Sequence, residues 1–325
     1  MSVSRRAFAA LAFASLVIAP TLPVHAADTT SRDLRIGYQK VGALLLLKER
    51  GTLEKKLAPL GVHVSWVQFP SGPPLLEALN AGAIDFGYTG DAPPVFAQAA
   101  GVKLVYVASI PSPGKSSAIL VHKSSSIASI ADLRGKKIAL VKGSSAHAVL
   151  VRVLAKGGVS YGDITPVFLQ PADAAAAFKA GSVDAWAIWD PFYAVAQQDP
   201  DARVLTDAVG IAPSNDFFLA SQSYAAQNAD VLKAIVDEAV DSWHWASTHQ
   251  SDLAQLLSDA SGVSLDAEKV AAARWSFKVT YITPAVIAEQ QTIADTFAHL
   301  GLIPTTINVA SIVWTPSHAV AEKTH

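Results

Sequence analysis

Cysteine is absent from this 325-residue chain, methionine occurs once, and only 16% of the residues are charged. The missing thiols exclude disulfides, thiolate nucleophiles and cysteine-bound metals. A domain of this size can dispense with disulfides even in an oxidising compartment. Neither sign of charge dominates: 25 basic residues stand against 27 acidic ones, a net of −2. A balance of this kind has no field to gather nucleic acid or an anionic membrane, so no nucleic-acid partner is expected and any anion site must be local. Beyond the N-terminus, no apolar run reaches the roughly 20 residues needed to cross a bilayer.

Catalytic motifs are equally scarce. Gly143-Ser144-Ser145-Ala146-His147 has histidine where a nucleophile elbow needs its closing glycine. Gly114-Lys115-Ser116 could end a phosphate loop, but the earlier glycine of that loop is Ser109 here. No His-Glu-x-x-His occurs, and His244 and His249 are five apart, off a shared metal-binding face. The chain is expected to be no enzyme and to need neither metal nor cofactor.

What is present begins with the pattern of an export signal. Met1–Arg6 carries Arg5 and Arg6, Ala7–Ala19 is apolar and uncharged, and Pro20–Ala27 is rich in small residues. Those are the n-, h- and cleavage regions of a secretory signal. Val24-His25-Ala26 puts small residues at the −3 and −1 positions, so residues 1–26 are expected to be removed, with Ala27 as the alternative end. About 13 apolar residues are too few for a membrane anchor. Ser4-Arg5-Arg6-Ala7-Phe8 also fits a twin-arginine signal, although paired arginines occur in ordinary signals too.

The remaining chain alternates short apolar strands with helices. Leu34–Tyr38, Val62–Phe69, Ile84–Tyr88 and Leu104–Ala108 read as strands, with helices between them, one of which stops at Gly51. The pattern restarts after the proline-rich stretch Ser109–Gly114, with strands at Ala118–Val121, Lys137–Val141 and Ala185–Trp189. A second crossing follows at Ile211–Asn215, and Phe217–Ala220 is expected to return to the first unit. Such alternation predicts parallel sheets covered on both faces. The expected architecture is α/β: two doubly wound lobes joined by a two-segment hinge, lobe 1 from 28–112 plus 213–325 and lobe 2 from 113–212, with a cleft between them.

In such sheets a ligand sits beyond the carboxyl ends of the strands, where helix N-termini gather. Four turns fit that place. Gly143–His147 opens a helix with two serine hydroxyls and free amides, and His147 stands one turn further in. Pro70-Ser71-Gly72-Pro73-Pro74 exposes the Gly72 amide at another helix start, stiffened by Pro73. Thr89-Gly90-Asp91 brings a hydroxyl and further amides, and Gln39 lies just past the first strand. Lysine and arginine stay at the edges of these turns, which points to an oxyanion held by neutral dipoles. Trp189 and Asp190 end the last strand of the second lobe, where Trp189 can wall a ligand tail and Asp190 can cap a helix. Trp186, of opposite phase, belongs in the core, and Trp243 and Trp245 read as packing residues.

At these turns the sequence resembles the aliphatic sulfonate-binding proteins of ATP-driven importers. The resemblance is carried by Arg35–Lys40, Phe69–Asn80, Ile84–Pro94, Asp132–Lys137, Lys142–His147, Pro171–Ala174 and Trp186–Pro191, in family order. It implies a type II periplasmic-binding-protein fold, a sulfonate ligand, a membrane permease as partner, a monomer and a periplasmic location. It also implies that Gln39, Gly72, Thr89, Gly90, Ser144, Ser145 and His147 surround the sulfonate head, with Trp189 and Asp190 on the tail side. Phe86 and Tyr88 add aromatic bulk that narrows the pocket. Relatives binding taurine, nitrate or a thiamine-precursor pyrimidine share this architecture, as do some enzymes, so ligand identity follows less directly than fold.

Overall fold

The computed structural model describes residues 32–211 and 214–316. The expected signal, residues 1–26, lies outside them, as does part of the second crossing. Eleven strands form among the described residues: β1 (Arg32–Tyr38), β2 (Val62–Gln68), β3 (Phe86–Thr89), β4 (Leu104–Ser112), β5 (Ser117–His122), β6 (Lys137–Leu140), β7 (Thr165–Phe168), β8 (Ala185–Trp189), β9 (Ala202–Asp207), β10 (Ser214–Ser221) and β11 (Thr280–Tyr281). They make two sheets, in the orders β11-β4-β10-β3-β1-β2 and β7-β6-β8-β5-β9.

Each sheet is parallel where strands are fed by helices. β2, β1 and β3 run together in the first, and β7, β6 and β8 in the second. The next strand in each is antiparallel: β10 lies between β3 and β4, and β5 between β8 and β9. The wholly parallel sheets expected from the alternation are thus corrected to mixed ones. The cause is the chain path. β5 and β10 enter their sheets directly from the other sheet, without a crossover helix to turn them parallel.

The path crosses between Ser112 and Ser117 and returns between Asp207 and Ser214. The first crossing starts later than its prolines suggest, because β4 continues to Ser112 and pairs it with Ser214. Pro111 is tolerated there: β11 pairs with β4 only at Ala108 and Ser109, so beyond them one side of β4 needs no N–H. The sequence reading missed β9, which is short and half-buried along its whole length.

Both sheets bury both faces with the two-residue period of a strand. On β10, Phe217 packs with Leu75, Leu104, Tyr106 and Phe297, while Phe218 packs on the opposite face with Ile36, Phe86 and the Ala43–Arg50 helix. In the second sheet Ile119, Ile138 and Ala187 face the Ser145–Lys156 helix. Ala118, Leu120 and Trp186 face Phe178 of the Pro171–Lys179 helix, so Trp186 is core, as its phase predicts. Phe217 is fully buried and meets Tyr106 edge-on at 4.9 Å. Phe217→Ala is expected to destabilise the fold by about 3–5 kcal/mol, read as a lower urea midpoint.

Candidate functional site

A cavity of about 100 Å³ lies between the sheets, beyond the carboxyl ends of their parallel strands. Gln39 follows β1, Gly72 comes after β2, Gly90 follows β3, Ser144 and Ser145 come after β6, and Trp189 and Asp190 close β8; all of them line it. A wider groove of about 510 Å³ between the Ser145–Lys156 and Pro284–His299 helices mixes apolar side chains such as Val151, Ile293 and Phe297 with Arg152, Lys156 and Glu289. No helix start opens into it, and the smaller cavity is the chemically equipped one.

Seven of the eleven residues singled out from the sequence therefore share one cavity. Pro73, Thr89, Asp91 and His147 stand off its wall. Pro73 is the second residue of the Gly72–Asn80 helix and has no N–H to offer. Thr89 is fully buried and donates its hydroxyl to Gly90 O at 3.0 Å. Asp91 caps the Ala92–Ala99 helix through Ala92 N (2.8 Å) and pairs with Arg152 at 2.5 Å. His147 is also buried: its Nδ1 accepts from Gly143 N at 3.1 Å, so Nε2 carries the proton and donates to the Tyr161 hydroxyl at 2.8 Å. Its ring packs on Phe96 and Phe297, and burial, helped by Lys142, pushes its pKa down to about 4. The residue shapes the Gly143 turn from behind.

What faces the cavity is a set of donors without partners. Ser144 is half spent, because its hydroxyl donates to Val141 O at 2.8 Å. The Ser145 hydroxyl and the amides of Ser145, Gly72 and Gly90 make no hydrogen bond among the described residues. Gln39 donates one Nε2 hydrogen to Tyr88 O at 3.0 Å and keeps a second. The two strongest turns nearly touch: a methyl carbon in place of a Gly90 hydrogen would lie 1.7 Å from Ser145 Oγ. With no Cβ at Gly90, the start of the Ser145–Lys156 helix can come this close to the end of β3 with the Ser145 hydroxyl turned inward. Gly143, at φ 71°, makes the left-handed turn that aims that helix inward.

The wall is less neutral than the turns alone suggest. Arg274 reaches it from beyond the Leu265–Ala272 helix and binds Asp190 at 2.9 and 3.1 Å, its guanidinium 4.0 Å from the Tyr193 ring centre. Asp190 also accepts from Ala194 N at 3.0 Å, capping its helix. Burial raises the Asp190 carboxyl to about 6 while Arg274 and Ala194 N oppose the shift. Asp216 of β10 is the second carboxyl, with Oδ2 accepting from the Tyr88 hydroxyl at 2.7 Å. Trp243 and Trp275, stacked at 5.0 Å, add an aromatic side. Sequence reasoning missed Arg274 and Asp216; Trp243, read as packing, is a core residue that also borders the cavity. Arg274 stands where any helix would carry a C-terminal cation, and Asp216 reads as the turn before an apolar strand.

Two sheets joined by two chain crossings, with helix starts from both converging on one cavity between them, define a two-lobed solute-binding architecture. Residues 60–252 match the family model described as NMT1/THI5 like. A protein of Escherichia coli (strain K12), named for binding aliphatic sulfonates, is 40% identical over 311 residues, 94% of this chain and 96% of that one. The alkanesulfonate-binding protein SsuA from Xanthomonas axonopodis pv. citri, solved bound to MOPS, superposes with a TM-score of 0.84 at 43% identity, covering 87% of this chain and 98% of that one. The periplasmic aliphatic sulphonate binding protein SsuA from Escherichia coli gives 0.79 at 39%, covering 88% and 92%. The chain belongs to the NMT1/THI5-like family, within its group of aliphatic sulfonate-binding proteins.

The histidine behind the site has a consequence for stability. Its folded pKa lies below the unfolded value near 6.5, so the neutral ring stabilises the fold fully above about pH 6.5, and that share is lost as pH falls toward about 4. The carboxyls of Asp190 and Asp216 slope the other way, so the comparison is best made between variants. Relative to His147→Gln, the parent is expected to lose about 3 kcal/mol of stability between pH 7 and pH 4, measured by urea unfolding at each pH.

Proposed function

We propose that this chain is the exported solute-binding component of an ATP-driven importer, and that it encloses a short aliphatic sulfonate between its sheets for delivery to the membrane permease. The observation that carries this reading is the convergence of unpaired donors from opposite sheets, Gly90 N from one side and Ser145 N and Oγ from the other. A sulfonate stays ionised at any physiological pH, accepts several hydrogen bonds and donates none. Amides and hydroxyls at a helix start meet those demands without a dense cationic field. Trp189, Trp243 and Trp275 supply the apolar wall an alkyl chain needs. The relatives named above are binding proteins, and their location supports a periplasmic place for this one. In the same reading residues 1–26 are the cleaved signal, 28–112 with 213–325 form one lobe, 113–212 form the other, and the mature chain is a monomer.

Calorimetry and thermal shift with methanesulfonate, butanesulfonate, taurine, sulfate, nitrate and a pyrimidine test the assignment, in buffers that are not themselves sulfonates. Binding of sulfonates in preference to nitrate or pyrimidine is expected; the reverse order rejects the reading. Ser145→Ala is expected to weaken binding by about 1–3 kcal/mol, the value of one hydrogen bond to a charged group. Gly90→Ala should weaken it more, because the added methyl prevents the approach of the two turns. Unchanged affinity in both variants would remove these turns from the site.

A further inference from the structure

Asp216 is the one feature of the cavity that the capture of an anion does not explain. Its Oδ2 is held by the Tyr88 hydroxyl at 2.7 Å, which leaves Oδ1 open to the cavity. A methyl carbon at Gly90 would be 1.7 Å from Ser145 Oγ and 3.2 Å from Asp216 Oδ1, so those two oxygens are under 5 Å apart. A carboxylate thus stands beside the helix start at which the proposed function places the sulfonate. Two anions that close in a partly buried cavity repel strongly unless one is neutralised.

No cation among the described residues neutralises Asp216. Arg274, across the cavity, is bound to Asp190, and Arg152 to Asp91. The other groups facing it are Tyr88 on β3 and Asp91 at the head of the next helix. From the Ser145–Lys156 helix Ser144 and Ser145 reach the cavity, while His147 is turned onto Gly143 and Tyr161. We propose that Asp216 takes up a proton when a sulfonate binds and donates it, from Oδ1, as a hydrogen bond to a sulfonate oxygen. This rests on the sulfonate reading of the cavity. One proton passes from the buffer to the carboxylate, and no bond of the ligand changes.

Burial pushes the Asp216 carboxyl up to about 7, opposed by the Tyr88 hydrogen bond and reinforced by Asp91. A sulfonate charge about 5 Å away, at an effective dielectric near 20, raises its proton affinity further, on the order of a hundredfold. The bound carboxyl therefore holds its proton well above pH 7, and the affinity for a permanent anion falls by up to about tenfold per pH unit as pH rises above 7.

Titration calorimetry of the full mature protein with butanesulfonate at pH 7.5, in phosphate and in Tris, tests this. The apparent heats are expected to differ by the uptake of more than half a proton. Asp216→Asn mimics the protonated acid, accepting from Tyr88 and donating from Nδ2. It is expected to abolish the uptake and flatten the affinity profile between pH 6 and 9. A 13C titration of the Asp216 carboxyl should place its midpoint near 7 in the free protein and higher in the complex. Equal heats in both buffers, or a free midpoint near 4, overturns the proposal while leaving sulfonate binding intact. Failure of every sulfonate to bind rejects the ligand reading and this inference together.

Discussion

The close approach of Gly90 to Ser145 is the constraint around which the molecule is arranged. A Cβ at position 90 would force the Ser145 hydroxyl to turn away and would still press on Ser145 Cβ at 3.0 Å. The approach is maintained from the sides rather than by the two residues themselves. Asp91, next in sequence, caps its own helix and holds Arg152, which lies two turns along the helix that Ser145 begins. Gln290 secures the same turn by donating to Asp91 O. Breaking so buried a pair by removing one partner typically costs about 3–5 kcal/mol, because the other charge is left stranded. Asp91 and Arg152 thus set the distance across the cavity without entering it.

This division between residues that form the wall and residues that aim it recurs in the second sheet. His147 holds Gly143 N in place and fills an aromatic nest with Phe96, Phe168 and Phe297. A charged imidazolium there would be stranded in an apolar enclosure, so the ring stays neutral and acts as an acceptor toward the backbone. Its effect on a ligand runs through Gly143, whose amide it occupies and whose turn it fixes. The Ser144 hydroxyl donates to Val141 O, so of the two serines at this helix start Ser145 brings the unpaired hydroxyl to the cavity.

The strand-to-helix turns were legible in the sequence because their signals are local. Glycine, serine and proline after a short apolar strand mark a helix start wherever they occur, and Gln39, Gly72, Gly90, Ser145 and Trp189 came together as that logic predicts. Which member of a turn faces inward was not legible. Asp91 and His147 carry the more reactive side chains, yet both serve the scaffold, because a one-residue change of phase decides between wall and backing. Arg274 and Asp216 were invisible for a different reason. Each reaches the cavity through chain topology, Asp216 on a strand that returns antiparallel and Arg274 from a loop more than 80 residues after Asp190. The mixed character of the sheets was hidden in the same way, since the direction of β5 and β10 follows from the crossings and not from their composition.

The crossings also bear on how the cavity exchanges its contents. β4 and β10 pair from Leu104 to Ser112, so the two segments that leave the first sheet are stiff almost to the point of departure. The chain passes between the sheets only between Ser112 and Ser117 and between Asp207 and Ser214. Opposite them the sheets are tied by Ser71 to Gln170, Asp91 to Arg152 and Asp190 to Arg274. A ligand can favour the closed arrangement only through contacts it makes there and not in an open one. Donors already gathered from both sheets provide that difference, because Gly90 and Ser145 can serve one oxyanion together only while the ties hold. Ligand and ties therefore stabilise the same geometry.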